Sequence, residues 1–273
     1  MKTKPDRRFK SLLVFLFVIA SVGDAKAVMT TVSDSRSLKT SATLGDPAFP
    51  PATDNDWAVF GGLGGDWNES IKSIALSPVG IHGGVAQASQ VSSVEDGLIQ
   101  AVLRYSVDGF GFYSANTYNQ FRIEFTTGAL STFNLEASTN FQNREGSGYH
   151  QESLIRLSDL TDSSVLFEHA ENRDNAITSP SPPLVLAQSG TLVPDHIYEL
   201  DVFGLIDKPG FFEGTFFDTL TVSLNVSVPE NTGTGLLLAI SIGALIICNR
   251  LKGTWAGMAT VAVSTFSSFK TRV

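Results

Sequence analysis

Cysteine is almost missing from this 273-residue chain: Cys248 stands alone, so no intrachain disulfide is available and stability must come from a buried core. Basic residues are scarce through the middle. Residues 28–227 carry 24 Asp plus Glu against 9 Lys plus Arg, a formal charge of −15, whereas the whole chain carries −8. With no basic cluster to neutralise phosphates, nucleic acid is excluded as a partner, and so is docking on anionic lipid. Long apolar runs are also lacking. The two strongest, Leu12–Val22 and Leu236–Cys248, fall short of the roughly 20 residues of a full transmembrane helix.

Catalytic and metal signatures are equally sparse. His82, His150, His169 and His196 are scattered without compact ligand spacing, although His169 lies between Glu168 and Glu171. No serine sits in Gly-x-Ser-x-Gly, and with so many acids available no carboxylate pair stands out for glycoside hydrolysis. Asp54, Asp56 and Asp66, then Asp159 and Asp162, then Glu171 and Asp174, offer oxygens to calcium but match no calcium-loop spacing, so they read as solvated loop carboxylates. No cofactor is implied, and the metal question is left open. An enzyme is the less favoured class.

What the chain does have is strand chemistry. Phe121, Ile123 and Phe125 alternate with Arg122 and Glu124; Phe133, Leu135 and Ala137 alternate with Asn134 and Glu136. The clearest run places Leu220, Val222, Leu224, Val226 and Val228 on one face and Thr221, Ser223, Asn225 and Ser227 on the other. That period of two belongs to half-buried strands. Thr127-Gly128 reads as a hairpin turn between the first two of these segments, and Ser158–Asp162 as a turn between Ser153–Leu157 and Ser163–Phe167. Residues 28–55, rich in Ser, Thr, Asp and Pro, read as an extended arm or edge segment. With no convincing amphipathic helix in this region, the pattern predicts an all-β domain over 28–227. Its architecture is an antiparallel β-sandwich, jelly-roll-like or immunoglobulin-like. About 200 residues suffice to bury roughly 70% of the unfolded surface.

The ends read differently. Lys2, Lys4, Arg7, Arg8 and Lys10 precede Leu12–Val22 and then Ala25-Lys26-Ala27, a signal-peptide pattern over residues 1–27. At the other end, Val228-Pro229-Glu230-Asn231-Thr232-Gly233 leads into the apolar run, which closes on Arg250 and Lys252. This tail resembles the PEP-CTERM group of bacterial sorting signals, in its VPDSG-CTERM variant, and Ser189–Leu200 resembles the strand pair that often precedes it. The resemblance implies a sorting segment over 228–252 with a transmembrane helix, and an exosortase-type processing enzyme as partner. It also implies transient inner-membrane association, and export to a cell surface or extracellular matrix rich in exopolysaccharide or biofilm. Residues 253–273 form an atypical C-terminal extension.

Aromatic residues supply the binding candidates. Trp57 and Trp67 flank the glycine-rich turn Gly61–Gly65, while Phe110, Phe112, Tyr113 and Tyr118 cluster around Gly109 and Gly111. If those loops share one end of a sandwich, Trp57, Trp67, Tyr113 and Tyr118 could stack on sugar rings; otherwise they complete the core. The leading expectation is a noncatalytic exported surface or matrix protein. A carbohydrate-binding module and a polysaccharide-processing hydrolase are the alternatives.

Overall fold

The computed structural model describes residues 29–80, 82–144, 148–174, 183–210 and 214–228. The chain divides into two compact units, Met1–Val228 and Pro229–Val273, and the described residues belong to the first. They form β1 (Met29–Leu44), β2 (Ala52–Val59), β3 (Trp67–Leu76), β4 (Gly83–Glu95), β5 (Leu98–Phe110), β6 (Tyr113–Thr127), β7 (Ser131–Thr139), β8 (Gln142–Arg144), β9 (His150–Asp159), β10 (Ser164–Asp174), β11 (Leu184–Leu192), β12 (Ile197–Lys208) and β13 (Gly214–Ser227).

Two antiparallel sheets face each other. One runs β10-β9-β12-β6-β1-β2; the other runs β11-β7-β13-β5-β4-β3, with the short β8 paired to β13. The alternation explains the layering. Phe121, Ile123 and Phe125 of β6 and Leu200, Val202 and Ile206 of β12 turn inward, where they meet Leu103 and Val107 of β5 and Leu220, Val222 and Leu224 of β13. Two inner faces interdigitating in this way make the core of a jelly-roll-like sandwich. A smaller cluster of Leu38, Ile71 and Ala88, with Ala58 and Trp67 against it, fills the end formed by β1–β4.

The structure corrects three sequence expectations. Residues 29–55 are not an extended arm: β1 pairs with β6 from Met29 to Leu44 and also with β2 from Ser37 to Leu44, and the edge position falls to β2, which starts at Ala52. Its inward positions include buried Arg36 and Thr40 beside Leu38, Ala42 and Leu44, so the period of two is real but not apolar. Arg36 is paired inside with Asp34 at 2.9 and 2.6 Å and with Ser92 at 3.1 Å, and lies over the Phe60 ring at 4.2 Å. Asp34 also accepts the Gly64 amide at 2.9 Å, which ties the glycine-rich turn to the sandwich.

Thr127-Gly128 is not a hairpin. β6 and β7 belong to different sheets, so the turn carries the chain across the sandwich. Alternation cannot separate the two cases, because strands on either side of a core both show one apolar face.

The third correction concerns the C-terminal membrane or sorting helix. Every regular element among the described residues is a strand, and no helix of these residues is long and apolar enough to cross a membrane. The apolar run Leu236–Cys248 would rise only about 20 Å as a helix, against a hydrocarbon core of about 30 Å. The membrane or sorting helix expected over 228–252 therefore has no counterpart among the described residues. Of the motif, Val228 packs half-buried against the core. Pro229, Glu230, Asn231, Thr232, Gly233, Arg250 and Lys252 lie outside the described residues, as do residues 1–27.

Candidate binding face

The outer face of the six-stranded sheet gathers the chemistry that the sequence disperses. On β12 the inward set Tyr198, Leu200, Val202 and Ile206 leaves Glu199, Asp201, Phe203, Leu205 and Asp207 facing out. Strand register then fixes their neighbours. Leu205 pairs with Glu152 of β9 on one side and Tyr118 of β6 on the other; Tyr118 pairs with Lys39 of β1, and Lys39 with Trp57 of β2. One residue pair along the strands, a parallel row reads Leu154, Phe203, Gln120, Ser37 and Val59.

These two rows form a belt across the strands, with apolar or aromatic residues on β9, β12, β6 and β2 and the polar pair Ser37 and Lys39 on β1. Tyr118 and Phe203 pack with ring centroids 5.2 Å apart, and the Lys39 ammonium lies 5.8 Å from the Tyr118 ring. The Tyr118 hydroxyl donates to Gln120 Oε1 at 2.7 Å; burial, reinforced by the charge of Asp201, raises its pKa and keeps it a neutral donor. Trp57 closes the belt on the edge strand, with 67% of its surface exposed.

Polar rows flank the belt. On one side stand Arg156, Asp201 and Arg122, with Glu199 and Glu124 beyond them. Glu199 is paired with Arg122 and lies 3.7 Å from Arg156, which is also 3.9 Å from Asp201. The carboxylates sit beneath the guanidinium groups: the Glu199 side chain is 3% exposed and that of Arg122 43%. On the other side run His150, Asp207, Asn116, Ser41 and Asn55. His150 contacts Asp174 at 2.6 Å and Glu152 at 2.9 Å, and the Asp174 hydrogen bond raises its pKa.

The structure sorts the four sugar-binding candidates. Trp57 and Tyr118 share this face. Tyr113 is 1% exposed, its ring lying against the backbone of Gly84 and Gly109 in the core. Trp67 packs against the small second core and the Phe60 ring, 6.1 Å between centroids. Phe110 and Phe112 sit at the β5–β6 corner, where Phe112 meets His82 edge-on at 5.6 Å. Phe203 and Leu205 join this face from outside the four candidates, and the sequence carries a signal for them: apolar residues on the polar side of an alternating strand.

Among the described residues only Asp159, Asp162 and His196 bring three potential metal ligands within 4.8 Å. Asp159 is already committed there. Its Oδ1 accepts the amides of Thr161 and Asp162 at 2.9 and 3.1 Å, and its Oδ2 meets His196 Nδ1 at 2.8 Å. Asp54 and Asp56 serve the backbone, accepting the amides of Ile74 at 2.8 Å and Trp57 at 2.9 Å. The other histidines also face carboxylates, His82 with Asp46 and His169 with Glu171. The described residues make up a β-sandwich in which each of the four histidines faces a carboxylate.

No protein-family model and no curated protein matches the chain. Among solved structures, a carbohydrate-binding module of the beta-sandwich super family aligns at 10% identity and a TM-score of 0.21, covering 71% of this chain and 95% of its own. A VP2 protein from T=1 particles of infectious bursal disease virus aligns at 11% identity and a TM-score of 0.22, covering 84% and 81%. Both likenesses are remote.

Proposed function

We propose that this domain binds carbohydrate without transforming it, on the outer face of its six-stranded sheet. The observation that carries the reading is the row linking Trp57, Lys39 and Tyr118, with the Phe203 ring packed on Tyr118. Sugar rings present apolar C–H faces and a polar rim. The belt offers flat rings for those faces, and Gln120, Asn116 and Asp207 lie beside them to meet hydroxyl groups. A strand face also holds its side chains in fixed register, so little ordering is needed on binding.

Affinity electrophoresis through gels containing neutral polysaccharides tests this. At least one polymer should retard the domain, and Trp57→Ala should weaken its retention about tenfold, as loss of an exposed aromatic anchor does. The reading fails if no polymer retards the protein, or if Trp57→Ala and Tyr118→Ala both migrate like the parent.

A further inference from the structure

The geometry points to a particular ligand class: an extended, uncharged glycan with equatorial linkages, lying across the strands and contacting several consecutive sugars. This rests on the carbohydrate reading above and deepens it. The first support is the direction of the belt. Its two rows run perpendicular to the strands, from Leu154 on β9 through Phe203 and Tyr118 to Trp57 and Val59 on β2. From β9 to β2 the belt crosses four inter-strand steps of about 4.8 Å, roughly 19 Å in all. The repeat of an equatorially linked pyranose chain is close to that step, so about four sugars would lie one per strand spacing. An axially linked chain curls and would leave the belt after a short contact.

The second support is charge. The exposed guanidinium of Arg122 is already paired with Glu199, Arg156 lies near both Glu199 and Asp201, and His150 is shared between Glu152 and Asp174. Groups neutralised in this way present dipoles to a ligand, and a polyol suits dipoles better than an anion does. Acidic residues outnumber basic ones on the flanks, which further disfavours uronate or sulfated chains.

The third support is the asymmetry of the belt. The Tyr118–Phe203 pair sits at its centre and Trp57 at its edge, separated by the Lys39 strand. A short oligomer is satisfied at the centre, and only a longer one reaches Trp57.

Titration calorimetry of the full domain with a ladder of β-1,4-linked gluco-oligosaccharides, two to six units long, tests the inference. Malto-oligosaccharides and oligogalacturonates of the same lengths serve as comparison arms. Affinity should climb severalfold per added unit and level off at about four or five units. Trp57→Ala should lower affinity for the hexamer about tenfold and leave that for the dimer unchanged. Circular dichroism of the variant, matching the parent, separates this from misfolding. Affinity independent of length, stronger binding of the galacturonate or malto series, or equal losses for dimer and hexamer would overturn the pose while leaving carbohydrate binding in place. If no sugar of any series or length binds, the carbohydrate reading itself falls.

Discussion

Asp159 uses one carboxylate oxygen on the amides of its own turn and the other on His196, 37 residues further along, and this partner makes the turn sensitive to pH. Burial pushes the Asp159 carboxyl up, but the His196 hydrogen bond and the Asp162 and Thr161 amides outweigh it and hold the pKa below its ordinary value. The His196 pKa is raised, chiefly by the bond to Asp159 and against a smaller effect of burial. A raised histidine gives its full stabilisation below the ordinary 6.5 and loses it as pH climbs through the folded value; a lowered carboxylate gives its full stabilisation above 3.8 and loses it as pH falls. The pair therefore contributes fully between those two values. Urea midpoints at about pH 5 and pH 8 should differ in the parent and converge in His196→Gln. His150, raised in the same sense by Asp174, should leave a residual slope. Asp159→Ala should cost about 1–3 kcal/mol, because two backbone amides lose their acceptor. A His196→Gln variant with the full parental difference would show that the pair does not set the dependence.

Elements show where pattern suffices and where it stops. β13 is legible because leucine and valine fill the inward positions from Leu220 to Val226, and the β9–β10 hairpin because polar turn residues separate two short apolar runs. β1 is not, since an ion pair and threonine occupy inward positions that a hydrophobic pattern needs filled by apolar groups. The β4–β5 hairpin has a sharper local signal, Asp96-Gly97, with Gly97 at φ 77°. Its carbonyl accepts the Val226 amide at 2.8 Å, and a Cβ there would stand 2.9 Å from the Val226 carbonyl oxygen. Gly97→Ala should therefore cost about 1–2 kcal/mol from the left-handed backbone, with crowding added. Thermal unfolding should fall by several degrees, and an unchanged midpoint would show that the turn relaxes freely.

Across the whole molecule, the decisive information is which strands are neighbours, and no local window contains it. Trp57 and Tyr118 are legible as aromatics, but only the β2-β1-β6 order puts them on one row, and only β12 beside β6 adds Phe203. The same long-range logic joins the two sheets inside. Tyr105 of β5 donates to Asp218 of β13 at 2.7 Å, and Gln151 of β9, from the opposite sheet, donates to the same oxygen at 3.0 Å. Burial, then the charge of Asp218, raises the Tyr105 pKa and keeps the phenol a donor. Gly204 of β12 lets this ring reach across: a Cβ at that position would lie 2.2 Å from Tyr105 Cε1. The ring cannot yield without leaving Asp218, so Gly204→Ala should cost about 1–3 kcal/mol through overpacking and the strained bond together. Tyr105→Phe, which removes a donor from a buried carboxylate, should cost about 1–3 kcal/mol by itself. Both substitutions act on one hydrogen bond, so the double variant should lose less than the sum of the singles in denaturant unfolding. Strict additivity would mean that Gly204 makes room for the ring without protecting its bond to Asp218.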